Sequence, residues 1–144
     1  VLFSGDCILP NTSTAIDPTE KGDMNDYIAS LKRIQTYKID LILSFHGKPI
    51  TSAAERIENL IKIREDRDQQ ILDILQINPS SLEGIWSTIY GKRDLTGYLL
   101  EASKKQIEAH IIKLETEKKV TRLIKDQGSA GDDSTTYQII NYTG

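Results

Sequence analysis

The chain begins Val1-Leu2-Phe3-Ser4-Gly5-Asp6-Cys7-Ile8-Leu9, an apolar run that passes straight into a Ser-Gly-Asp turn. A run this short and apolar reads as the end of a buried strand in a parallel or sandwich sheet. The first residues of a domain are usually frayed, so a start inside such a strand points to a piece of a longer or processed chain. The first residue is Val rather than Met, and no basic leader opens the run.

The pattern that follows is that of an α/β layer. Pro10 to Gly22 is rich in Thr, Asn, Asp and Pro and reads as a loop. Asp23 offers an N-cap, and Met24, Tyr27, Ile28, Leu31 and Ile34 recur at helical spacing. Ile39 to Phe45 is a second apolar run and reads as a strand. Ser52-Ala53-Ala54-Glu55 has the form of a capping box and opens a long helix carrying Ile57, Leu60, Ile61, Ile71, Leu72 and Leu75. Its middle, Arg64 to Asp68, is wholly charged, which predicts a solvated face with pairs such as Arg64 with Asp68. A helix apolar at both ends and ionic between them suits a connector that packs on two cores in succession.

Beyond that helix the pattern changes. Asn78-Pro79 ends it, and Ser80-Ser81-Leu82-Glu83 forms a second capping box, followed by Ile85, Trp86, Ile89 and the stop Gly91. A further helix is expected from Leu99 to Lys118, with Leu99, Ala102, Ile107, His110, Ile111 and Leu114 inward. Val120 to Ile124 and Thr135 to Ile140 read as two strands around a polar tip, Asp126 to Ser134, with Tyr137 and Ile139 on one face. Helix, helix and hairpin in that order predict a winged-helix-like α+β domain over residues 77–144. Residues 1–76 would be the α/β part and the connector.

Composition narrows the functional classes. The 144 residues are 38% hydrophobic, too many for a disordered chain, and 27% charged. Lys and Arg number 18 against 21 Asp and Glu, a net charge of −3, which argues against non-specific grip on nucleic-acid phosphates as the main task. No apolar run approaches the roughly 20 residues of a membrane helix. The single cysteine, Cys7, permits no internal disulfide and fits a reducing compartment. The only histidines are His46 and His110.

Two segments carry candidate chemistry: Phe3-Ser4-Gly5-Asp6-Cys7 and Ser44-Phe45-His46-Gly47-Lys48-Pro49. Each puts a polar side chain at the C-terminal end of an apolar strand, where α/β architectures build their crevices. A carboxylate and an imidazole suit a borderline metal such as zinc. Taken one at a time, Asp6 is more often a turn or cap residue and His46 a hydrogen-bonded loop histidine. His110 lies on an apolar helical stripe and reads as a packing residue.

Gly5-Asp6, the Asp-rich helix start, and a strand ending in His46-Gly47-x-Pro49-Ile50 together resemble the C-terminal half of metallo-β-lactamase-fold hydrolases, an αββα sandwich. Phe3 to Leu9, Tyr27-Ile28-x-Ser30-Leu31-Lys32 and Arg64-x-x-Arg67-Asp68-x-Gln70-Ile71-Leu72 are similar to the subgroup called beta-lactamase-like protein 2. That resemblance covers nearly the whole chain. It implies a C-terminal winged helix and an endoribonuclease acting on single-stranded RNA, located in the mitochondrial matrix or cytoplasm. It also implies two zinc ions, with Asp6 as the bridging ligand, His46 as the last histidine of the second zinc, and the remaining ligands upstream in a His-x-His-x-Asp-His segment. Lys48 is a candidate phosphate contact, and an exposed lysine without a role is the plainer alternative. Ser44-Phe45 stands where the family has Pro-Gly, and Ile63 where it has His; a Phe beside the ligand bears on loop geometry and substrate fit rather than on ligation.

Three functions therefore stand side by side: the RNA-cleaving metal hydrolase, a thioester or acyl hydrolase on the same metal fold, and a non-catalytic winged-helix interaction module. The Lys and Arg residues from Lys104 to Lys125 are interspersed with Glu101, Glu108, Glu115 and Glu117, and Asp132-Asp133 sits at the wing tip. No clean basic stripe results, so the expected role of this part is accessory, shaping a groove or mediating a homodimer. The 144 residues alone are expected to be inactive, since most metal ligands are missing.

Overall fold

A computed structural model describes residues 1–123 and 135–140. Ile124, Lys125 and the expected wing tip with Asp132-Asp133 lie outside the described residues. Leu2–Gly5 (β1) and Ile42–Ser44 (β2) form a parallel pair in the register Leu2 with Ile42, Phe3 with Leu43 and Gly5 with Ser44. Parallel strands need a crossover, and Met24–Gln35 (α1) supplies it. The Asp23 carboxylate caps α1 by accepting from the backbone N–H of Asn25 and Asp26 at 2.7 and 3.0 Å. The Pro10–Gly22 segment contains one short 3-10 turn, Pro18–Glu20.

Ala53–Ile77 (α2) is 25 residues long and contributes to two apolar clusters. Ile57, Leu60 and Ile61 pack with Ile8, Met24, Tyr27, Ile28, Leu31, Ile42 and Ile50. Ile71 and Leu75 pack with Ile85, Ile107, Ile111, Leu114, Val120 and Tyr137. The second cluster is built from Leu82–Tyr90 (α3), Gly97–Thr116 (α4) and a three-stranded antiparallel sheet. Its strands are Ser80–Ser81 (β3), Val120–Leu123 (β4) and Thr136–Ile139 (β5), in the order β3-β5-β4. Tyr137 and Ile139 share the face that meets this cluster, as the alternation predicts. Helix α4 is not confined to it, because Ala109 packs in the first cluster.

Several expectations need correction. The N-terminal run is not buried throughout: Leu2 packs on the first core, but Phe3 points to the opposite face and is 79% exposed. Strand periodicity is two, so one covered face cannot bury consecutive residues. The second strand is shorter than the apolar run, Ile42–Ser44 rather than Ile39 to Phe45, and Phe45 is exposed. Ser52 makes no capping bond to α2, whereas Ser81 rather than Ser80 caps α3 by accepting from Gly84 N–H at 3.1 Å. Helix α4 starts at Gly97, and Leu99 faces solvent. Strand β3 carries no sequence signal, since two serines beside a proline read as a cap.

The largest correction concerns the charged middle of α2. Arg64 is 3% and Asp68 7% exposed, so only Glu65 and Asp66 form the solvated face, paired with Lys32 and Lys62. Asp68 pairs with His110 Nδ1 and Lys113 Nζ of α4, both at 2.7 Å, and Arg64 bonds elsewhere rather than to Asp68. His110 is fully buried, yet it is a polar partner and not an apolar filler. No helix among the described residues is long and apolar enough to cross a membrane.

Candidate metal centre

Strands β1 and β2 end side by side, and the parallel register carries Asp6 and His46 out of the sheet at the same end. Phe45 N–H donates to Gly5 O at 3.0 Å, which ties the two exits together one residue before each candidate ligand. Gly5 lies at φ +56° and Gly47 at φ +90°, in the left-handed region that favours glycine. A side chain at Gly47 would run into the Pro10 ring, so this turn needs glycine on two counts. Ser44 Oγ donates to His46 O at 2.8 Å and closes the loop on itself.

The result is a meeting of two ligand types. His46 Nε2 lies 3.7 Å from Asp6 Oδ1, and both side chains are open to solvent. That separation is too long for a hydrogen bond, so neither group is committed to the other. A free carboxylate and a free imidazole nitrogen side by side fit two ligands of a borderline metal ion. They do not complete a site: no group of three or more His, Cys, Asp or Glu that could hold a metal occurs among the described residues. Lys48 is exposed on the same loop.

The segment after Asp6 is fastened by side chains that sequence reasoning did not connect to it. Arg56 of α2 donates from Nε to Leu9 O at 2.8 Å and from Nη2 to Thr12 O at 2.5 Å. Arg64 Nη2 donates to Thr14 O at 2.6 Å, and Thr14 Oγ1 in turn donates to Asp6 O. Tyr27 OH donates to Cys7 O at 3.1 Å, and the Arg64 guanidinium lies 5.2 Å from the centre of the Tyr27 ring. From α4, Gln106 Oε1 accepts from Ile16 N–H at 3.2 Å and Lys105 pairs with Asp17 at 2.6 Å. The signal available in sequence was register. Arg64 and Asp68 continue the stripe of Ile57, Leu60 and Ile61 at helical spacing, where a charge is buried rather than solvated.

Burial sets the electrostatics around these groups. It pushes the Tyr27 hydroxyl up and the Arg64 guanidinium down from their ordinary values. Burial also pushes the Cys7 thiol up, away from the thiolate form. A shallow cleft lies elsewhere, between α1, α2 and α4, and its charges are paired with one another. Lys32 pairs with Glu65, Lys113 with Asp68 and Glu117, and Lys119 with Glu117. Lys104 and Arg122 are likewise paired, with Glu83 and Glu115.

No family model matches the chain. A "Beta-lactamase-like protein 2 homolog" of Drosophila melanogaster is 31% identical over 138 residues, covering 95% of this chain and 44% of that protein. A Caenorhabditis elegans protein of the same name is 33% identical over 75 residues, covering 52% of this chain and 24% of that protein. The chain thus spans less than half the length of either relative. Among solved structures, a beta-lactamase domain protein from Burkholderia ambifaria superposes with a TM-score of 0.83 at 25% identity, covering 96% of this chain and 41% of that one. A metallo-β-lactamase family protein from Thermus thermophilus shares the fold, with a TM-score of 0.73 at 19% identity and the same coverage. Sequence and fold agree with one another, and the chain is a metallo-β-lactamase-fold protein that carries the C-terminal part of that fold.

Proposed function

We propose that this chain supplies two ligands, Asp6 and His46, to a dinuclear zinc centre of a hydrolase that cleaves single-stranded RNA, the other ligands coming from residues upstream. The observation that carries the metal reading is the pair itself: two uncommitted donor groups 3.7 Å apart at the ends of adjacent parallel strands. A carboxylate has two oxygens and enough charge to bridge two cations, which fits Asp6 to that role, and His46 offers an imidazole nitrogen, Nε2. When bound, zinc would supply an activated water and charge stabilisation for a displacement at phosphorus. The residues of this chain would orient that centre, and Lys48 is the candidate contact for a substrate phosphate. The RNA substrate, and a location in the mitochondrial matrix or cytoplasm, follow from the subgroup resemblance.

We take residues 1–76 as the C-terminal half of the metal-binding domain with its connector, and residues 77–144 as a winged-helix-like domain. The order β3, α3, α4, β4, β5 with an antiparallel sheet supports the second assignment. The internal pairing of Lys104, Lys105, Lys113, Lys119 and Arg122 favours an accessory role for it, in groove shape or homodimer contact, over reading duplex DNA.

The decisive experiment is Asp6→Asn in the full-length protein that carries these residues, assayed on single-stranded RNA and on a thioester. Collapse of RNA cleavage together with loss of zinc supports the proposal. Unchanged cleavage overturns it in favour of a non-catalytic module, and loss of thioester cleavage with no ribonuclease activity in the parent favours the acyl hydrolase.

A further inference from the structure

Between Asp6 and Thr14 the backbone is held from outside and across the loop. The carbonyls of Asp6, Cys7, Leu9, Thr12 and Thr14 accept hydrogen bonds from the side chains of Thr14, Tyr27, Arg56 and Arg64. Arg64 stands apart within this set. It is the more deeply buried of the two cations, and among the described residues it forms no ion pair. A buried guanidinium without a carboxylate is expensive to keep, and replacing buried charge by apolar side chains of similar volume is often stabilising. Burial has already displaced its proton affinity downward, in keeping with that cost. Fold stability therefore gives a weak reason for Arg64, and its contacts give a specific one.

Two routes lead from Arg64 to the candidate ligand. One runs from Nη2 to Thr14 O, and from Thr14 Oγ1 to Asp6 O. The other runs through the guanidinium against the Tyr27 ring, and from Tyr27 OH to Cys7 O. The two routes end on the carbonyls of adjacent residues, so the backbone that carries the Asp6 side chain is held at two successive points. We propose that Arg64 is a positioning residue for the Asp6 carboxylate, fixing the metal-binding orientation of the loop 6–14 from the middle of α2. This inference rests on Asp6 being a metal ligand. Residues in the shell behind a ligand commonly affect metal affinity by about 10–100-fold.

The test combines a readout with metal and one without. Arg64→Met and Arg64→Lys are made in the full-length protein, and Zn2+ affinity is measured by competition with a chromogenic chelator. Amide hydrogen exchange over residues 6–14 is followed in the metal-free protein, with α3 as the reporter of global folding. Arg64→Met is expected to weaken Zn2+ binding about tenfold or more and to speed exchange in 6–14 while α3 keeps its protection. Arg64→Lys, which retains a charged donor, should recover part of both. Thr14→Val cuts the last link to Asp6 without touching the core and should weaken Zn2+ binding in the same direction; it decides the matter if Arg64→Met does not fold. Exchange in 6–14 equal to the parent, or faster exchange with unchanged Zn2+ affinity, overturns the proposal. If instead Asp6→Asn leaves Zn2+ affinity untouched, the metal assignment itself has failed, and the exchange readout still reports whether Arg64 holds the loop.

Discussion

Asp68 of α2 and His110 of α4 face each other across the seam between the two apolar clusters, with Oδ1 2.7 Å from Nδ1. The other Asp68 oxygen accepts from Lys113 Nζ at 2.7 Å, and Lys113 also reaches Glu117 at 2.6 Å. One carboxylate thus joins two helices by two bonds, both away from water. Removing one partner from a buried pair commonly costs about 3–5 kcal/mol, because the remaining charge is stranded. Asp68→Ala should therefore lower unfolding free energy in urea by about that amount. A loss below about 1 kcal/mol would show that the seam tolerates losing the carboxylate.

The same pair makes stability depend on pH. Burial holds His110 below its ordinary 6.5, outweighing the Asp68 bond that favours the cation. The unfolded chain then binds a proton that the folded chain refuses. The contribution is full above pH 6.5 and is lost as pH falls from 6.5 to the folded value. Asp68 acts lower on the scale: burial pushes its carboxyl up, but the His110 and Lys113 bonds outweigh that and hold it below 3.8. Its contribution is present above 3.8 and is lost as pH falls through the depressed value. Melting temperature should drop between about pH 8 and 5 in the parent and stay flatter in His110→Gln, and parallel curves would refute the assignment.

At Gly47 the backbone lies at φ +90°, and any side chain meets the Pro10 ring. An L-residue in a left-handed conformation costs about 1–2 kcal/mol, before the clash is counted. Gly47→Ala is expected to destabilise by at least that much and to loosen residues 44–50, read by amide exchange. Gly97→Ala is the useful comparison, since it has φ +55° but open space around it and should show the backbone cost alone.

Two serines in similar sequence settings should behave differently. Ser81 accepts from Gly84 N–H and caps α3, so Ser81→Ala should cost about 1 kcal/mol. Ser52 precedes α2 but makes no capping bond, so Ser52→Ala should fall within about 0.5 kcal/mol of the parent. Thermal unfolding of the two variants side by side checks the difference.

What the sequence determined was local. The Asp23 cap, the Met24-Tyr27-Ile28-Leu31 stripe, the double apolar stripe of α2 and the Tyr137-Ile139 alternation are all written in spacings of two, three and four residues. Those spacings are set by strand and helix geometry alone. Asp6 and His46 stood out as polar residues that an α/β layer brings together at its strand ends, and their roles as metal ligands came from resemblance to a family rather than from spacing. Only the tertiary structure decided which charges are buried. Arg64 to Asp68 looks like a solvated face because charge usually means exposure. Asp68 lies 42 positions from His110, and Arg64 lies 50 from Thr14, beyond the reach of any local pattern. Phe3 illustrates the converse, an apolar residue left exposed because a strand buries alternate residues only on the face that is covered. Periodicity fixes which way a side chain points, and only packing fixes what it meets there.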